Sequence, residues 1–207
     1  MKNITVRISV LLEAFILLAT MTFAGIANAA QEAYKIDENH SFANWSIRHV
    51  ASKTSGTFSE IKGKILIDVN NLANSSVDAK INMLSVNSSH AKRDAHIIKE
   101  DYLDAAKFAE MTFVSKKIVA SSNTEGVMTG VLTLHGVSKE MTFPFKVLGF
   151  GNDPWGGYRT GFEAHTSLKA SDFGFTWPLK ADAAVGDEIE ITLLIEGVKL
   201  PPEKVAK

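Results

Sequence analysis

The sequence predicts an all-β fold: an extended eight-stranded antiparallel barrel with one α-helical insertion. Three observations lead there. Apolar and polar residues alternate with period two through most of the chain after residue 40, as half-buried strands require. Most joins between the alternating runs are short, so successive strands pair antiparallel. One segment, Ser88 to Asp104, breaks the alternation and is rich in charge and good helix formers.

The elements follow in order. Lys2 and Arg7 precede an apolar run from Ile8 to Ile26, interrupted by Glu13 and followed by Ala27-Asn28-Ala29. That is the pattern of a secretory signal peptide, here residues 1–29, with cleavage expected after Ala29 or Ala30. A carboxylate in mid-bilayer is costly, so Glu13 argues against a membrane anchor. The mature chain contains no further run long enough to span a bilayer and is expected in the periplasm. Removing the leader takes the net charge from −1 to −2.

Phe42 to His49 places Ala43, Trp45 and Ile47 on one face and Asn44, Ser46 and Arg48 on the other. Ile65 and Ile67 share a face within Ile61 to Asp68, and Val77, Ala79, Ile81 and Met83 share the next. In the expected helix, Ile97, Ile98 and Tyr102 form the apolar stripe, and the leading serines are candidate caps. Met111, Phe113 and Ser115 then alternate with Thr112, Val114 and Lys116. Residues 121–126 form a turn. The faces Met128-Gly130-Leu132-Leu134 and Met141-Phe143-Phe145-Val147 follow, then a Gly-rich loop over 149–157. Phe162-Ala164-Thr166-Leu168 and Ile189-Ile191-Leu193-Ile195 complete about eight strands. A loose tail, 201–207, ends the chain, leaving 30–200 as one domain.

Closing an all-β sheet removes its edges, and eight strands enclose room for side chains plus one small ligand. A sandwich would have no such lumen. Long strands and nearly charge-free inward faces favour the barrel. Periodicity alone leaves open whether those side chains fill a dry core or wall a cavity.

Composition narrows the chemistry. The 22 Lys+Arg face 23 Asp+Glu, so binding nucleic acid by bulk basic charge is excluded. The absence of cysteine rules out disulfides, thiolate metal sites and a Cys nucleophile. The six histidines show no metal-ligand spacing and no Gly-x-Ser-x-Gly elbow occurs, so no metal and no catalytic residues are assigned. The most chemically loaded stretch is Arg93-Asp94-Ala95-His96. It is either a structural charge cluster pinning the helix to the barrel or a head-group site with Arg93 and His96 at the mouth. Trp155, Tyr158, Phe173, Phe175 and Trp177 form either a plug or a portal at one barrel end.

Several ordered motifs resemble one family. They are Tyr34-Lys35-Ile36-Asp37 with His40-Ser41-Phe42, Gly56-Thr57-Phe58, Ser85-Val86 followed by Arg93-Asp94-x-His96-Ile97, and Phe113-x-Ser115. Gly130-Val131-Leu132-Thr133-Leu134-x-Gly136-Val137-Ser138-Lys139, Asp153-Pro154-Trp155-Gly156-Gly157, Gly161-Phe162-Glu163-Ala164 and Asp172-Phe173-Gly174 continue the series. From about Tyr34 to Val198 the chain resembles the YceI-like family of exported, lipocalin-like polyisoprenoid-binding proteins. It departs from the pattern at Ala109-Glu110, where the family often has Pro, and at Ala170, where it often has Arg. His135 and His165 match no motif and are expected on the surface.

The resemblance implies a lipocalin-like barrel with an apolar tunnel, often a homodimer, that carries or sequesters a polyisoprenoid or a quinone-like amphiphile. It does not imply catalysis, and no cofactor besides the bound lipid is expected. The expected tunnel wall is Trp45, Ile47, Ile65, Ile67, Ile81, Met83, Phe113, Leu132, Leu134, Phe143, Phe145, Phe162, Ile191 and Leu193. His49, Arg93 and His96 are the expected head-group contacts. The alternatives are an exported enzyme acting on a lipid head group through His96, and a ligand-free structural barrel that acts in stress response.

Overall fold

The computed structural model describes residues 31–202. The expected leader and residues 203–207 of the tail lie outside them. In chain order the elements are β1 (Glu32–Ile36), β2 (Phe42–His49), β3 (Ser52–Phe58), β4 (Ile61–Ile67), β5 (Ser76–Asn82), β6 (Val86–Asn87), α1 (Ala91–Ile97), β7 (Glu110–Ala120), β8 (Glu125–Leu134), β9 (Val137–Asn152), β10 (Tyr158–Lys169) and β11 (Val185–Lys199). Among the described residues no helix is long and apolar enough to cross a membrane.

All pairings are antiparallel. The sheet runs β1-β4-β5-β7-β8-β9-β10-β11, and β1 pairs back to β11, which closes an eight-stranded barrel. Three of its walls are interrupted strands. β1 and β2 lie one after the other along β11, Ile36 opposite Gly197 and Phe42 opposite Leu194. β3 and β4 return along β2 and β1, so the four form one long bent hairpin. β5 and β6 continue the wall along β4 and β3.

Strand-by-strand alternation therefore identifies the inward faces, but it passes over β1, β3 and β6. The omission of β3 has a simple cause. Its inward residues opposite Ile47, Trp45 and Ala43 are Thr54, Gly56 and Phe58, so only one of the three is a large apolar side chain. The expected Gly-rich loop is also shorter than its composition suggests, because Gly149 to Asn152 continue β9 opposite β10.

The helix is shorter than the predicted 88–104. Regular α-helix covers only Ala91–Ile97, and its N-cap is His90, whose Nδ1 accepts from the Arg93 amide at 3.2 Å, rather than a serine. Beyond Ile98 the chain continues in tight turns, with Asp104 at φ 45°. Ile98, Tyr102 and Leu103 from these turns pack on the apolar cluster at this end. The segment lies where β6 leaves the wall and β7 begins, at the near end of the barrel. Residues 170–184 share that end. The far end carries the β4–β5 turn, the β7–β8 turn and the β9–β10 turn.

A charge cluster holds the break between β1 and β2. Arg159 donates from Nη1 to Asp37 at 2.6 Å and to Glu196, and from Nε to Asp153 at 2.7 Å. Burial works to raise the Asp37 pKa, but the hydrogen bonds from Arg159 and His40 outweigh it and hold the carboxyl at about 2. Asp37, His40 and Glu196 bring ligand atoms within 4.8 Å of one another. The Arg159 guanidinium bonds two of the three, so the positive charge in this cluster is the protein's own.

Candidate functional site: a two-chambered apolar cavity

Inward side chains on successive strands leave space along the barrel axis. A near chamber of about 260 Å³ is bounded by β2, β3, α1, the turns after it and residues 175–191. A far chamber of about 180 Å³ is bounded by β4, β5 and β7 to β11. Ala43, Met111 and Ile191 line both, so the two chambers meet at a waist built by these three residues. The barrel interior is thus not a fully packed core, and its apolar space is divided into two chambers.

The predicted wall residues divide between the chambers. Trp45, Ile47, Met83 and Leu134 line the near one. Ile65, Ile67, Ile81, Phe113, Leu132, Phe143, Phe145, Phe162 and Leu193 line the far one, and Ile191 faces both. The wall also contains Phe58, Tyr102, Leu103 and Val185 near the mouth, and Leu72, Ile118 and Met128 at the far end. Ile118 escapes a strict alternation count because a bulge between Ser115 and Lys117 resets the face of β7. Leu72 and Leu103 come from turns, where period-two patterning carries no information.

His49, Arg93 and His96 all border the near chamber, and none borders the far one. Their surroundings differ. Arg93 is half-buried; it donates from Nε to Ser88 Oγ at 2.7 Å and from Nη2 to the Ser88 carbonyl at 2.6 Å. Asp94 accepts from the Ser88 amide at 2.9 Å and from its hydroxyl. Arg93 and Asp94 therefore do not pair with each other; both are anchored through Ser88, itself 5% exposed. Among the described residues Arg93 makes no ion pair. His96 is exposed and its Nε2 lies 2.8 Å from Asp101 Oδ2; that hydrogen bond lowers the Asp101 pKa. His49 is exposed at the end of β2.

Trp45 supplies a further polar atom. Its indole nitrogen is buried, and no protein acceptor reaches it among the described residues. The ring packs against Gly56 on β3. A Cβ at Gly56 would stand 2.5 Å from Trp45 Cζ2 and 2.6 Å from the Asn87 carbonyl oxygen. Gly56→Val is therefore expected to destabilise the fold by about 2 kcal/mol through overpacking, measured by urea unfolding, and to displace the indole, read from tryptophan fluorescence.

The rim of the near chamber is aromatic. Tyr102 and Trp177 ring centroids lie 5.3 Å apart, Phe175 and Trp177 4.5 Å, His135 and Phe175 4.5 Å, and His135 and Phe108 4.4 Å. His135 is thus half-buried between two phenylalanines, with Nδ1 3.3 Å from the Phe173 carbonyl, rather than on the surface. His165 does sit on the surface, bonded to Glu163 and Thr192. The five aromatic residues predicted as one group belong to opposite ends. Phe173, Phe175 and Trp177 close the near end, while Trp155 lies in the β9–β10 turn at the far end and is 81% exposed. Position 170, where the family pattern often carries Arg, is an alanine with no exposed surface.

This geometry defines a class: a closed antiparallel β-barrel with a largely apolar, divided interior and its basic cavity residues, His49, Arg93 and His96, at one end. The chain belongs to the YceI-like family, since the family profile described as YceI-like domain matches residues 34–197. A UPF0312 protein of Yersinia enterocolitica is 40% identical over 185 residues, covering 87% of this chain and 93% of the relative. A Campylobacter jejuni YCEI protein of known structure is 30% identical, with a TM-score of 0.64, over 70% of this chain and 85% of that one. BcnA of Burkholderia cenocepacia shares the fold at 22% identity, with a TM-score of 0.70, over 78% of this chain and 98% of that one. A polyisoprenoid binding domain from Saccharophagus degradans, implicated in plant cell wall breakdown, also shares it, at 14% identity and a TM-score of 0.60, over 81% of this chain and 98% of that domain.

Proposed function

We propose that this protein is a periplasmic carrier of an amphiphilic isoprenoid lipid, a polyisoprenoid or a prenylated quinone, with the tail in the far chamber and the polar end in the near one. The observation that carries this reading is the polarity gradient along the barrel. The far chamber presents a wholly apolar surface, whereas the near chamber is bordered by Arg93, His49 and His96. Burying a methylene is worth ~0.8 kcal/mol before the costs of association, so a prenyl tail supplies most of the affinity. A guanidinium with spare donors beside an apolar cavity suits a phosphate or carbonyl oxygen. The name of the S. degradans domain agrees with this class of ligand.

Binding is favoured over catalysis. His96 is paired with Asp101 and stands at the exposed rim. A His96→Ala variant is expected to retain its lipid, and turnover of a prenyl diphosphate that is lost in this variant would favour an enzyme instead. The direct test is native mass spectrometry of the exported protein purified without detergent. One apolar adduct per barrel, identified after organic extraction, supports the carrier. A chain that stays free of ligand after incubation with polyprenyl lipids and long-chain quinones overturns it.

Arg93→Gln tests the polarity of the mouth. Loss of one charge-assisted contact costs about 1.5–3 kcal/mol. Affinity for farnesyl diphosphate is therefore expected to fall at least tenfold, while affinity for farnesol changes little. Titration calorimetry with both probes separates the head-group effect from any loss of fold.

A further inference from the structure

We infer that Leu72 sets the longest tail this barrel accepts, an inference that rests on the carrier reading above. Leu72 reaches the cavity from the β4–β5 turn rather than from a strand. It is 3% exposed and lines the far chamber, and Ile118 and Met128, opposite each other on β7 and β8, line the same end. Its neighbours in the turn, Asn71, Ala73 and Asn74, are exposed. One leucine side chain therefore separates the chamber from water at this point.

The turn that carries Leu72 is internally braced. Asp68, 5% exposed, accepts from the amides of Asn70 and Asn71 at 3.0 Å each and from Asn74 Nδ2 at 2.9 Å. Asn71 Oδ1 accepts from the Ala73 amide at 3.2 Å, and Ser75 Oγ accepts from the Asp68 amide at 3.0 Å. A loop so tied is a stop rather than a swinging gate. A tail that reaches Leu72 gains nothing from a further isoprene unit, because the added carbons have no apolar wall to meet.

The test uses prenols of increasing length, from farnesol upward, with affinities measured on the full mature chain. For the wild type, affinity is expected to rise with each isoprene unit and then to stop. Leu72→Ala moves the stop to tails at least one unit longer, with about tenfold tighter binding of the first prenol beyond the wild-type limit, a fraction of what five buried carbons supply in full. Leu72→Trp moves it to shorter tails. Met128→Trp, from the opposite wall, gives the same shortening and replaces Leu72→Trp if that variant fails to fold. An identical length profile in the folded variants overturns the role of Leu72 while leaving the carrier intact. A wild type that binds no prenol of any length overturns the carrier reading itself, and this inference with it.

Discussion

Phe143→Asp is expected to abolish binding of an isoprenoid tail, lowering affinity for a long prenol by more than a hundredfold. Phe143 is 8% exposed, lies on β9 and faces the far chamber, its ring centroid 5.4 Å from that of Phe113. A carboxylate at this site must keep water around it or take up a proton, since an unpaired charge in an apolar cavity is costly. A chamber that holds water around a carboxylate has no room for hydrocarbon unless that water is stripped away, and the penalty opposes the tail directly. The loss of a large ring also costs about 3–5 kcal/mol of stability, so the binding assay is paired with circular dichroism and a thermal melt. Leu132→Asp, on the neighbouring strand and 7% exposed, is expected to behave alike. Phe143→Leu keeps the wall apolar and is expected to retain binding. Unchanged affinity in a folded aspartate variant would remove these positions from the wall.

Arg159→Leu is expected to destabilise the barrel by about 3 kcal/mol at pH 7, the lower end of the cost of breaking a buried ion pair, because the arginine is 22% exposed. It leaves Asp37, Asp153 and Glu196 without their shared cation where the broken strand β1–β2 meets β10 and β11. The pH dependence has a definite sign. In the wild type the Asp37 pKa is depressed to about 2. The stability this carboxylate contributes is present above the pKa of an ordinary aspartate, near 4, and is lost as pH falls toward 2. Without Arg159 the clustered carboxylates repel and take up protons at higher pH. The gap between variant and wild type is therefore expected to narrow steadily between pH 7 and pH 3. Denaturant unfolding at several pH values checks this, and a gap that widens on acidification would show that the cluster does not hold the break.

Much of the site is visible in the chain because strand patterning is local. Trp45, Phe113, Leu132, Phe143 and Ile191 each sit two residues from another inward residue, and this spacing assigns them to one face whatever their partners. Arg93 and His96 are conspicuous as basic residue types grouped in the non-alternating segment from Ser88 to Asp104. Residues brought in by turns have no such signature, so Leu72, Leu103 and Trp177 reach the cavity without any period to announce them. Trp155 and Trp177 look equivalent in the sequence, but the β9–β10 turn and the 170–184 segment lie at opposite ends of the barrel.

By itself, the sequence determined the fold class, the inward face of most strands and the place of the helical interruption, because alternation, turn residues and helix formers act over a few neighbouring positions. Tertiary structure alone decided the rest. It set the waist at Ala43, Met111 and Ile191, placed Ser88 between Arg93 and Asp94, and brought Arg159 to Asp37, 122 residues away. These depend on the register in which β1 and β2 close against β11, and register arises from the fit of whole strands rather than from any local run of residues.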